Sequence, residues 1–244
     1  DFFLPFKTGL RHSFGLSAGE IHGMLKNMKT AERRERMESN YEKQVYMARE
    51  LFLNYGQEAM IRRFQLKYDE EYLYMKLLDQ EYRISRKNGE VEQQEKGRTA
   101  VCLDFQVVMT LYDVLCCSKE CAVLSGEWCS LASLQATQSS PTASRFTARY
   151  AEKFSGRVRE LEEACRRLGG EKQSVPASAD VCYKIWLLPF FPVIFQFWDG
   201  DEEFAPKIMI LWDKKSLDFM HFETLYYVML HLLERIDFSI SFER

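Results

Sequence analysis

An α+β fold is predicted by three features of the hydrophobic pattern. Apolar residues recur at three- and four-residue spacing in some stretches and alternate with polar ones in others. The alternating stretches fall in two groups, near residues 72–86 and 181–213, instead of singly between helices. There is no regular β-α-β alternation, which argues against a doubly wound parallel sheet. The expectation is antiparallel sheet packed against several amphipathic helices, as a single domain over residues 28–244. Residues 1–27 have weak periodicity and several glycine and polar breaks, and are read as an extension, a misplaced start or a flexible arm.

From Met37 to Tyr55 the apolar residues Tyr41, Val45, Ala48, Phe52 and Tyr55 mark one helical face, closed by Gly56. A short second helix is expected over Glu58 to Phe64. The period then changes. Leu73, Met75 and Leu77 alternate with Tyr72, Tyr74 and Lys76, Tyr82 and Ile84 follow Asp79-Gln80, and Asn88-Gly89 marks a tight turn before Val91. That pattern predicts a meander of two or three antiparallel strands. Val101, Phe105, Val108, Tyr112 and Leu115 restore the helical period and predict a buried helix over 101–117. A connection containing Leu124-Ser-Gly-Glu-Trp128 follows, with a Ser/Thr-rich tract at 137–144 that composition makes flexible. A long helix is expected from Phe146 to Leu168, stopped by Gly169-Gly170. Strands near Val181–Leu188, Val193–Trp198 and Lys207–Trp212 precede a last helix at 223–235, with Leu225, Val228, Met229, Leu232 and Ile236 inward.

Composition removes several function classes. A chain of 244 residues that is 46% hydrophobic can build one substantial core or two small ones. Net charge is −3 without a dominant basic block, so bulk nucleic-acid binding is not expected. The longest apolar stretch, Ile185 to Trp198, is interrupted by Pro189, Pro192 and Gln196 and is too short to span a bilayer. No secretory signal pattern is visible, and seven cysteines in a chain of this size are best read as free thiols in a reducing cytoplasm. Nothing matches a phosphate loop, a dinucleotide fingerprint or a zinc-protease helix.

Four constellations carry chemistry. The first is the acidic turn Asp199, Asp201, Glu202 and Glu203 between Trp198 and Phe204. Clustered carboxylates can hold a cation or one raised pKa, whereas a solvated hairpin turn needs no function at all. The second is Asp213, His221 and Glu223, where the last strand gives way to the last helix; a first-turn carboxylate also suits the helix dipole. The third is Glu127 beside Trp128, an acid that an indole could desolvate. The fourth is Cys102, Cys116, Cys117, Cys121 and Cys129, and here the spacing argues against a metal or cluster. Adjacent Cys116 and Cys117 diverge on a helix, and no C-x2-C pair exists. If there is a site, it is expected where the 198–206 turn approaches the 213–223 segment. Trp198 and Phe204 would anchor the loop, and one of Glu202 or Glu203 would point inward toward Asp213 and His221.

Tyr82-Arg-Ile-Ser with Gly89-Glu-Val, Leu124-Ser-Gly-Glu-Trp128, and Trp198-Asp-Gly-Asp-Glu-Glu-Phe204 followed by Ile210-Leu-Trp-Asp213 and His221-Phe-Glu223 together resemble the domain-of-unknown-function family numbered 3786. The resemblance covers about Tyr41 to Ile236, and the acidic segment is its most specific part. It implies a cytosolic protein of strict anaerobes and carries over no activity, substrate or catalytic residue. Members tend to place Pro directly after the Phe of the acidic loop, where this chain has Ala205 before Pro206. Some relatives carry a cysteine-rich iron–sulfur module ahead of this domain; residues 1–101 hold no Cys to supply one, so electron transfer would fall to a partner.

Three functions follow as expectations. The leading one is a non-catalytic accessory protein of anaerobic metabolism, in a corrinoid or one-carbon setting, that binds a small cofactor or a partner protein. The second is a hydrolase or lyase using Glu202, Glu203, Asp213, His221 and Glu223 with a divalent cation. The third is a purely structural interaction module.

Overall fold

The computed structural model describes residues 30–95, 97–134, 143–174 and 178–241. The expected extension at 1–27 and most of the Ser/Thr-rich tract lie outside them. The helices are α1 (Thr30–Asn54), α2 (Gln57–Phe64), α3 (Phe105–Cys117), α4 (Ala143–Phe154), α5 (Val158–Arg167) and α6 (Phe222–Ser241). The strands are β1 (Lys67–Tyr68), β2 (Tyr72–Leu77), β3 (Gln80–Ser85), β4 (Val91–Glu95), β5 (Arg98–Val101), β6 (Trp128–Ser130), β7 (Glu171–Lys172), β8 (Val181–Leu188), β9 (Phe191–Trp198) and β10 (Lys207–Asp213).

The strands form two five-stranded antiparallel sheets, ordered β1-β2-β3-β4-β5 and β6-β10-β9-β8-β7. The α+β class stands, with two sheets in place of the single one expected from the grouping of the strands. The first sheet is a simple meander, of five strands where alternation predicted two or three. In the second, β9 is the central strand, and residues 191–197 are buried without interruption. A strand covered on both faces reads as a continuous apolar run instead of an alternating one. Pro192 sits opposite Trp186 beside a register shift at Trp186/Leu188, where the ladder is already irregular.

Three boundaries differ from the sequence reading, each for a local reason. The helix expected from Val101 starts at Phe105, because the Asp104 carboxylate accepts from the backbone N–H of Gln106 and Val107 and so caps it. Val101 instead ends β5 and is 45% exposed. The single helix expected over 146–168 is two, broken at Ser155-Gly156, with Gly156 at φ +72°. The last helix runs on to Ser241, since Ile236 and Ile240 extend its buried stripe. At the far end of α5 the expected stop is a complete Schellman motif. Gly170 N–H donates to Cys165 O and Gly169 N–H to Arg166 O, both at 2.9 Å.

One core joins the two sheets, running from Phe52 through Leu73, Tyr112, Phe195 and Trp212 to Ile240. Helix α3 lies between α1 and α6, α4 packs on β10, and α5 packs on β8. Leu78 N–H donates to Leu187 O at 2.7 Å, a backbone bond from one sheet to the other. Among the described residues no helix is long and apolar enough to cross a membrane.

Candidate functional site

The acidic turn joins β9 to β10, and its shape is set by its own carboxylates. Asp201 accepts from the N–H groups of Glu203 and Phe204 at 2.8 and 2.7 Å, while its own N–H reaches Phe204 O. Those two donors hold the Asp201 carboxyl below its ordinary pKa. Asp199 reaches outward to the α4–α5 break, accepting from Ser155 Oγ at 2.8 Å and from Gly156 N–H at 3.0 Å. It also accepts from Gly200 N–H at 2.9 Å, and its own N–H donates to Asp180. A Cβ on Gly200 would stand 2.8 Å from Pro206, so the turn requires glycine there. Asp199 and Asp201 therefore build the loop.

The expected aromatic anchors do not behave alike. Trp198 is half-buried under the Lys207 ammonium, 5.5 Å from the ring, but Phe204 is 69% exposed. The loop is pinned by hydrogen bonds to backbone, and Phe204 is left on the surface. Glu202 and Glu203 are exposed as well. Between the turn and the α4–α5 break lies an open concavity of about 570 Å³, lined by Glu152, Ser155 and residues 200–206. The loop carboxylates do share a space, but with Glu152 and Ser155.

The 213–223 segment lies elsewhere. The turn precedes β10 and Asp213 ends it, so a strand of roughly 20 Å at ~3.3 Å per residue separates them. The expected convergence of Glu202 or Glu203 with Asp213 and His221 is corrected on this ground: a hairpin turn and the far end of its own strand cannot meet. Asp213 is 1% exposed and serves the Ser125–Glu127 turn. It accepts from Ser125 N–H and Oγ, Gly126 N–H and Lys215 N–H at 2.7–3.0 Å. Burial pushes its carboxyl up, yet these donors together outweigh burial and leave the pKa lowered. Trp128 begins β6, paired antiparallel with β10, so the expected loop is partly a strand. Glu127 is exposed and paired with Lys214 at 2.6 Å.

His221 immediately precedes α6 and meets α3. Its Nδ1 lies 2.5 Å from Asp113 Oδ1, and its backbone N–H donates to Asp113 Oδ2 at 2.8 Å. The Asp113 side chain is 9% exposed and that of His221 66%. The hydrogen bond to Asp113, followed by one to Cys117, pushes the His221 pKa up to about 10. Burial acts to raise Asp113, but His221 and Thr224 overcome it and hold that carboxyl low. Glu223 is half-buried in the first turn of α6, where the dipole favours it. Among the described residues, Asp113, Cys117 and His221 converge as groups able to hold a metal, with one ligand atom from each within 4.8 Å of the others.

Asp113 and Glu152 were not singled out from sequence. Asp113 did carry a signal, as the lone charge in the helical run Leu111-Tyr-Asp-Val-Leu115. Glu152 carried none, since one acid on an amphipathic helix looks like any solvated face. Of the other thiols, Cys102 and Cys116 are buried, and burial raises their pKa values to about 11 and about 12. They pack as small hydrophobes.

The family model described as Domain of unknown function (DUF3786) matches residues 57–235, and the chain belongs to that family. No curated protein and no solved structure matches it.

Proposed function

We propose that this member of the DUF3786 family is a non-catalytic accessory protein that docks a basic segment of a partner protein on the concavity beside its acidic turn. The observation that carries this is Phe204, exposed amid Glu152, Asp201, Glu202 and Glu203, with no basic residue among the described residues that line the same space. An exposed aromatic supplies an anchor. The surrounding like charges attract a cationic segment and make its association salt-dependent.

A small flat cofactor is less well served. Such ligands are held in enclosed, mainly apolar pockets, whereas this concavity is open and acidic, and Phe191, Phe195 and Trp212 are fully buried in the core. The metal-assisted hydrolase reading draws on residues at both ends of β10 and loses the convergence it needs. A cytosolic location is supported by seven cysteines without a disulfide. The anaerobic, corrinoid or one-carbon setting rests on the family resemblance and is tested by gene neighbourhood.

Peptide display against the wild-type protein tests the docking reading. The expected enrichment is for Lys/Arg-rich peptides with an apolar residue, with binding that weakens at least about tenfold in the Glu202→Lys/Glu203→Lys variant. Phe204→Ala should weaken it while leaving the salt dependence in place. No basic enrichment, or binding indifferent to the charge reversal, overturns the proposal.

A further inference from the structure

Two residues four apart on α3, Asp113 and Cys117, point to the same side of that helix, and His221 arrives against them from the start of α6. We propose that Asp113, Cys117 and His221 form a site for one transition-metal dication of the zinc class, with its fourth position open to solvent. It lies away from the acidic concavity, toward the other end of β10, and does not depend on the docking reading.

The ligand set selects the ion. A thiolate excludes magnesium and calcium, which take oxygen ligands, while zinc and cobalt(II) accept sulfur, nitrogen and carboxylate oxygen together. Thiolate and carboxylate balance the two positive charges. This site departs from the expectation that the cysteines hold no metal: the spacing disfavours a centre built from several thiolates, whereas here a single thiol, Cys117, joins a carboxylate and an imidazole.

Geometry supports the site. Metal–ligand bonds of about 2.0–2.3 Å place tetrahedral ligands roughly 3.4–3.6 Å apart. The three ligand atoms already lie within 4.8 Å of one another, so closing on an ion takes shifts of about 1 Å or less. Asp113 and His221, now 2.5 Å apart, must separate slightly. The exposed imidazole can turn to do so. Asp113 is the fixed member: it sits within α3, and its second oxygen keeps the His221 N–H at 2.8 Å. That contact orients the imidazole-bearing residue as outer-shell hydrogen bonds do in metal sites. Cys117 is the last residue of α3, where the helix dipole favours a cation, and it is half-buried and reachable. On binding, the thiol and imidazole protons leave to solvent.

Titration of the reduced, metal-free protein with cobalt(II) tests the site. The expected result is tetrahedral ligand-field bands with a thiolate-to-cobalt charge-transfer band, saturating at one equivalent and displaced by zinc. Cys117→Ser should abolish the charge-transfer band, and His221→Gln should weaken binding at least about tenfold. Cys121→Ser and Cys129→Ser should change neither. Absence of a saturable band, or a band that survives in Cys117→Ser, overturns the proposal. The cadmium-113 resonance of the intact wild-type protein gives the answer without any substitution: a shift reporting one sulfur ligand supports the site, and a shift reporting oxygen ligands alone sinks it.

Discussion

The imidazole of His221 and the carboxylate of Asp113 titrate in opposite senses, and both bear on stability. His221 rises from 6.5 to about 10 in the folded chain, chiefly through the Asp113 hydrogen bond. A raised folded pKa contributes stability that is fully present below 6.5 and lost as pH climbs through about 10. Asp113 is lowered from 3.8, so its contribution is present above that value and lost as acid reaches the folded pKa. The pair therefore helps most between about pH 4 and 6.5. In metal-free protein, the wild type should lose its advantage over His221→Gln in urea midpoint steadily between pH 6.5 and 10. A difference that stays flat across that range would show that the pair does not couple to folding. The residue scale is also where the sequence was hardest to read. Charge identifies Asp199, Asp201 and Asp213 as candidates. Their partners are mostly backbone N–H groups, joined by Ser155 Oγ and Ser125 Oγ, and no residue letter reveals a backbone donor. A buried carboxylate serving a turn and an exposed one facing a ligand look identical in sequence.

Helix α4 and helix α5 share one apolar stripe, and the stripe alone predicts a single continuous rod. Gly156, held in the left-handed region at φ +72°, ends the rod, and Asp199, forty-odd residues away, secures the break by accepting from Ser155 Oγ and Gly156 N–H. Periodicity registers which face is buried and is blind to a remote side chain competing for the backbone. The Asp104 cap, which shortened α3 at its start, is a local signal that the apolar spacing from Val101 masked. Where local chemistry decides, the sequence was legible: Gly169-Gly170 ends α5 as expected, and Asn88-Gly89 turns before β4 with Gly89 at φ +74°. Asp199→Ala should leave the Ser155 and Gly156 donors without their acceptor and cost about 1–3 kcal/mol. It should also loosen the acidic turn from the α4–α5 break. Hydrogen exchange at Gly156 and at the turn amides measures this. Unchanged protection at both would mean that the break is held by α4 and α5 alone.

Two sheets sharing one core pose a question that belongs to the whole molecule: whether they unfold together. One link between them is direct, and helices α2 and α6 add contacts to one turn of each. Leu78, 3% exposed and held at φ +54°, donates its N–H to Leu187 O across the gap. Holding a leucine in the left-handed region costs about 1–2 kcal/mol, an expense that burial and this bond offset. Phe64 stacks on Phe190 at 4.7 Å, and Arg235 of α6 pairs with Asp79 in the β2–β3 turn. The four tryptophans provide a one-sided probe, because Trp128, Trp186, Trp198 and Trp212 all lie in the second sheet. Leu77 lies in the first and is fully buried. Leu77→Ala should destabilise by about 2–5 kcal/mol. If the core is one cooperative unit, tryptophan fluorescence and far-UV circular dichroism will shift to the same lower urea midpoint. If the sheets are independent, fluorescence will keep its wild-type midpoint while part of the dichroism is lost early. The shared core predicts the first result, since opening it on one side exposes apolar side chains on the other.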